Sequence, residues 1–291
     1  MKIYILIIVL AVVVFSCKET KKETTEPVAE EVQKPDVKLY ILDGGTVMVN
    51  KLELFSQDTT YQGQTKEFKD PFYVISHSEG NLMWDAGLPE MLVGMPEPFT
   101  PPPGAFTISR KDSVLNQLKS IGMTPDDIKY IALSHTHFDH SGHANVFNNS
   151  TWLVQEPEYA MITSDEVKNG ENAGLYDAIA ELTNVQKLNG DYDVFGDSTV
   201  VIKSMPGHTP GHQVLYLDLA ENGPTLLTGD LYHMHKSREK RTVPSFNFDV
   251  AETLKSMDTF EAFTKEKDAK VIIQHSKEDF NKMPKAPKYL N

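Results

Sequence analysis

The chain has 291 residues, 40% hydrophobic and 24% charged, with a formal net charge of −13 at pH 7. That balance argues against a nucleic-acid partner, because a phosphate backbone is met by a basic surface. The one cysteine, Cys17, lies near the start, so the rest of the chain has neither a disulfide nor a thiolate metal ligand.

Residues 1–16 read as a signal segment. Lys2 supplies the positive start, and the apolar run 3–15 is too short to serve as a permanent membrane-spanning helix. Val14-Phe15-Ser16-Cys17 resembles a bacterial lipobox. The resemblance implies cleavage before Cys17 and a lipid anchor on its thiol. The product would be an exported lipoprotein, periplasmic or anchored in the outer membrane. Lys18-Glu19 after the cysteine resembles a surface-export signal. Residues 17–36 are charged, rich in threonine and poor in large apolar groups, so they read as a flexible tether. Residues 37–291 are long enough for one large domain.

In that domain, residues 37–42 and 47–54 read as the first strands, joined by a turn at Asp43-Gly44-Gly45. Residues 72–76 and 82–85 form a second pair around Ser78-Glu79-Gly80-Asn81, a hairpin signal. Residues 94–106 carry five prolines and read as a loop, a candidate lid. Residues 109–121 show a helical stripe through Val114, Leu115, Leu118 and Ile121. Residues 124–127 read as a turn leading into a buried strand, 129–134. Further strands are expected at 152–155, 200–204, 213–217, 225–228 and 271–274, and helices at 156–162, 175–182 and 250–264. This order of strands and helices gives sheets covered by helices.

The strand 129–134 runs directly into His135-Thr136-His137-Phe138-Asp139-His140. Neutral imidazoles and carboxylates are ligands for Zn²⁺ and similar metals. Three further candidates close later strands: His208 in Pro206-Gly207-His208-Thr209-Pro210, Asp230 after Thr228-Gly229, and His275 after Gln274. Their placement points to one common edge.

This pattern resembles the metallo-β-lactamase superfamily over nearly all of 37–291. The resemblance implies an α/β (α+β) chain folded as a four-layer αββα sandwich, with two divalent metal ions between the sheets and zinc as the first expectation. It assigns His135, His137 and His208 to the first ion. Asp139, His140 and His275 go to the second, with Asp230 bridging both. β-Lactamases of the common type place a cysteine in the second site, which this chain lacks. Within the superfamily, Leu42-Asp43-Gly44-Gly45, Trp84-Asp85-Ala86-Gly87, Gly229-Asp230-Leu231-Tyr232 and Gln274-His275-Ser276-Lys277 are most similar to the N-acyl-homoserine lactonases. Relatives of that group carry a tyrosine shortly after the bridging aspartate, some three residues on. Here Tyr232 stands two residues on and is the expected carbonyl contact.

The implied reaction is ring opening of an acyl-homoserine lactone by a metal-bridging hydroxide, with Asp139 or Asp230 passing the proton to the leaving alkoxide. The same site would also serve another ester, an organophosphate, a thioester or a β-lactam. A surface metal-binding scaffold without turnover fits less well, since structural sites close at four ligands. No oligomeric state follows from the sequence. Of the other histidines, His143 and His212 read as supports, His233 and His235 as pocket wall or plain loop, and His77 as a surface residue at a hairpin tip. Phe72, Phe99 and Phe106 read as core or acyl-chain wall.

Overall fold

The computed structural model describes residues 36–291. The signal segment, Cys17 and its lipobox, and all but the last residue of the tether lie outside the described residues.

Thirteen strands are present among the described residues: β1 (Lys38–Val49), β2 (Lys66–His77), β3 (Gly80–Trp84), β4 (Phe106–Ser109), β5 (Ile128–Ala132), β6 (Thr151–Gln155), β7 (Val185–Leu188), β8 (Tyr192–Asp193), β9 (Val200–Ser204), β10 (Gln213–Leu219), β11 (Gly223–Leu227), β12 (Lys270–Ile272) and β13 (Tyr289–Leu290). One sheet has the order β13-β1-β2-β3-β5-β6-β7, with β4 also paired to β1, and the other runs β12-β11-β10-β9-β8. β3, β5, β6 and β7 are mutually parallel, as are β11 and β12.

Alternation along the strands explains the layers, since neighbouring side chains point to opposite faces. Leu39, Ile41, Tyr73 and Ile75 face Val200, Ile202, Leu215 and Leu217 across the two sheets. Phe72, Val74, Ile131 and Val154 turn outwards onto Val114, Leu118 and Ile162 of covering helices. On the other side, Val214, Tyr216 and Leu226 pack on Met257 and Phe260 of the helix Val250–Lys267. The expected αββα sandwich is therefore present, with strands buried on both faces.

Several expected boundaries differ. Residues 38–49 form a single strand, and Asp43-Gly44-Gly45 is a bulge within it, where the register with β2 shifts between Asp43 and Thr46. Glycine is needed there for space. A Cβ at Gly44 would lie 2.3 Å from the Asp70 carbonyl oxygen and 2.8 Å from Gly87 Cα. Residues 52–55 form a 3₁₀ turn instead of continuing the strand. The loop 94–106 is held to the sheet by a bridge between Phe99 and Ile108, and β4 begins at its end. The helix expected at 109–121 is Val114–Ser120, started by Ser113, whose hydroxyl accepts from Asn116 N–H. The helix expected at 175–182 is the shorter Ala173–Asp177.

Candidate metal centre

The carboxyl ends of β3, β5, β9, β11 and β12 converge. β5 releases Ser134, whose N–H donates to Asp85 Oδ1 at 2.6 Å, and the next residues deliver the histidine run. His135 Nε2 lies 2.8 Å from His137 Nδ1, and His208 Nε2 lies 3.1 Å from the same atom. Asp230 Oδ2 faces this trio, 3.2 Å from His208 Nε2 and 3.6 Å from His135 Nε2. Its other oxygen, Oδ1, lies 2.8 Å from His275 Nε2 and 3.2 Å from His140 Nε2. Asp139 stands beyond them, with Oδ2 3.9 Å from His275 Nε2. The donors sort into two groups, His135/His137/His208/Asp230 and Asp70/Asp139/His140/His275, each close enough to surround one cation. All seven residues expected from sequence are thus brought together, and Asp70 joins them.

The far side of each ring is held. His140 Nδ1 lies 3.0 Å from Asp85 Oδ2 and His208 Nδ1 2.9 Å from Asn247 Oδ1, while His275 Nδ1 donates to the Lys69 carbonyl. Such partners fix the orientation and tautomer of a metal-binding imidazole. His212 does more than support its turn. Its Nδ1 donates to the Met205 carbonyl and its Nε2 accepts the Asp230 N–H at 2.9 Å, which pins Asp230.

The charge pattern tests whether cations fit. Burial and the neighbouring imidazoles hold His135 well below its ordinary value, and burial and His208 bring His137 down to about 3. These rings stay neutral, with lone pairs free for a metal. Burial opposes protonation of His275 and His140 as well, yet the Asp230 carboxylate raises His275 to about 9 and, with Asp85, raises His140 well above the usual range. The Asp230 carboxyl, against its own burial, is held well below the ordinary carboxylate range by His233, His275 and His140. Positive charge is drawn into this cluster by its own carboxylates, and neutral imidazole and carboxylate donors fit divalent cations.

Above the centre lies a cavity of about 440 Å³ lined by Phe55, Phe68, Phe106, Phe138 and Phe246, with His137, Asp139, Asp230, His233 and His275 at its polar end. Tyr232 is not among these residues. Its ring packs edge-on against Phe260 and its hydroxyl donates to Glu261 Oε1 at 3.0 Å, so the expected carbonyl contact is corrected. The next residue faces the other way: His233 lines the cavity with Nε2 3.0 Å from Asp230 Oδ2, its ring stacked near both Phe68 and His275. His77 is also corrected. It is 7% exposed, stacked on Phe195 and 2.9 Å from Asp197 Oδ2. His143 lies near Glu90, outside both donor groups, and the more exposed His235 bonds Asp279. Phe72 is core, Phe99 is partly exposed, and Phe106 is cavity wall. Asp70 was missed by sequence reasoning, although an aspartate within an otherwise buried strand is the signal that could have found it.

The family model described as "Metallo-beta-lactamase superfamily" matches residues 71–275. The chain is 29% identical over 269 residues to the N-acyl homoserine lactonase AttM of Rhizobium radiobacter, covering 87% of this chain and 98% of that protein. It is 29% identical over 261 residues to the N-acyl homoserine lactonase AiiA of Bacillus thuringiensis subsp. kurstaki, with the same coverage. Among solved structures, an N-acyl homoserine lactone hydrolase with its product N-hexanoyl-L-homoserine bound at the catalytic metal centre is similar, with a TM-score of 0.74, 28% identity, and 87% of this chain and 98% of that one covered.

Proposed function

The chain belongs to the metallo-beta-lactamase superfamily, and from that membership we propose that it is a metal-dependent hydrolase that opens the lactone ring of N-acyl-homoserine lactones. One observation carries this reading: Asp230 turns one oxygen to each of two donor groups at the floor of an aromatic cavity. His135, His137 and His208 would hold the first ion, Asp139, His140 and His275 the second, and Asp230 both, with zinc proposed for the first. Two divalent cations there would supply a water of near-neutral pKa and a Lewis acid for the carbonyl oxygen. The protein supplies the rest. Asp230 and His212 fix the centre against β11. Asp139, at the cavity wall, is placed to carry a proton from the attacking water to the alkoxide released from the ring. The phenylalanines exclude water and receive the acyl chain.

The test is ring opening of N-hexanoyl- and N-decanoyl-homoserine lactone, followed by proton release. The expected kcat/KM is about 10⁴ M⁻¹ s⁻¹ or higher, and up to about 200-fold higher for the decanoyl substrate if its four extra methylenes are fully buried in the apolar cavity. Faster cleavage of a phosphotriester or a thioester than of either lactone would displace the reading.

We also propose that the protein is exported and anchored through a lipid on Cys17. Val14-Phe15-Ser16-Cys17 supports this. Growth with labelled palmitate should mark the wild type and leave Cys17→Ser unlabelled; equal labelling of both would end the proposal.

A further inference from the structure

Asp70 lies in β2 opposite the β1 bulge, between Lys69, paired with Thr46, and Pro71, paired with Asp43. A bulge re-aims side chains locally, and here the Asp70 carboxylate falls among Asp139, His140 and His275. The residue is 1% exposed, and its Oδ2 is buried with no hydrogen-bond partner among the described residues. A buried carboxylate oxygen left unpaired is costly, and a coordinated cation is one of the few ways to offset it. The charged neighbour Arg110 is committed elsewhere: its N–H groups donate to the carbonyls of Ala86, Leu88 and Asp112. Of the Arg110 nitrogens, Nη2 lacks a partner among the described residues.

We propose that Asp70 is an additional protein ligand of the second ion. This rests on the two-ion reading above. The second site then offers carboxylates from Asp70, Asp139 and Asp230 with imidazoles from His140 and His275. The first offers three imidazoles and one carboxylate. Oxygen-rich sites suit harder divalent cations and imidazole-rich sites suit zinc, so the centre discriminates, with Zn²⁺ in the first site and Mn²⁺ favoured in the second.

The test titrates the metal-depleted full chain, given one equivalent of Zn²⁺, with Mn²⁺, reading free Mn²⁺ by electron paramagnetic resonance. The wild type should bind one Mn²⁺ and keep its zinc. Asp70→Asn should keep the zinc and bind Mn²⁺ about 100-fold more weakly. Asp70→Glu keeps the charge beside Arg110 but moves the oxygens by one methylene. It should weaken Mn²⁺ about tenfold if coordination is the role, and leaves it at the wild-type value if charge alone matters. Unchanged Mn²⁺ binding in Asp70→Asn overturns the proposal. So does a metal-free Asp70→Asn protein melting well below the metal-free wild type, the mark of a carboxylate spent on Arg110. A wild type that binds neither metal fails differently, because it removes the two-ion centre itself.

Discussion

Asp230→Ala is expected to strip both ions and to lower lactone hydrolysis by about 10⁴-fold or more. The Asp230 carboxylate turns one oxygen to each donor group. Its Oδ2 stands 3.2 Å from His208 Nε2 and its Oδ1 2.8 Å from His275 Nε2. Removing it takes the one carboxylate out of the group of three imidazoles on one side, and on the other side it separates His140 and His275 from their strongest anionic neighbour. The backbone should stay in place, because the Asp230 N–H to His212 bond does not involve the lost carboxylate. The loss should therefore appear as metal content near zero in a folded protein, measured by elemental analysis beside a melting curve. A variant that keeps both metals and turns over within tenfold of wild type would show that Asp230 is not the bridge.

The parts of this site legible in the sequence share one physical cause. His135, His137, Asp139, His140, His208, Asp230 and His275 all follow the carboxyl end of a buried strand, and each strand carries its own hydrophobic signature. Asp70 carries no such mark, since it sits inside β2, opposite the β1 bulge. Gly44-Gly45 read as a turn because glycine pairs commonly punctuate strands. Their role is instead the close approach of β1 to the Asp70 carbonyl and to Gly87. Tyr232 and His233 were separated only by direction. In extended backbone, neighbouring side chains point to opposite sides, so Tyr232 enters the helix layer with Phe260 while His233 enters the cavity. The strands β4, β7, β8 and β13 were missed, each having four residues or fewer. Segments that short carry almost no periodicity, and their pairing is fixed by distant partners.

Asp85→Asn is expected to cost the second ion a 10–100-fold loss of affinity and turnover about 10³-fold, with the fold intact. Asp85 adopts φ 60°, a left-handed conformation that asparagine tolerates at least as well as aspartate. One amide oxygen can still accept the Ser134 N–H. The amide nitrogen, however, replaces Oδ2, which accepts from Gln274 Nε2 at 2.8 Å and lies 3.0 Å from His140 Nδ1. Gln274 cannot turn over to relieve the clash, because its Oε1 already accepts from Trp84 Nε1 and the Gly229 N–H. The mismatch therefore falls on His140. Its Nδ1 must become the acceptor, and Ser134 Oγ, 3.1 Å away, can donate to it. The ring proton then moves to Nε2, the nitrogen that faces Asp230 and the second donor group, where it removes the lone pair a metal would use. The same logic makes an aspartate-to-asparagine change beside a catalytic histidine so damaging in serine proteases. Nitrogen-15 spectra of His140 should report the exchanged tautomer, and metal analysis should report one ion per chain where the wild type holds two. A variant with two tightly held ions and the wild-type tautomer would mean that Asp85 serves the fold and not the metal.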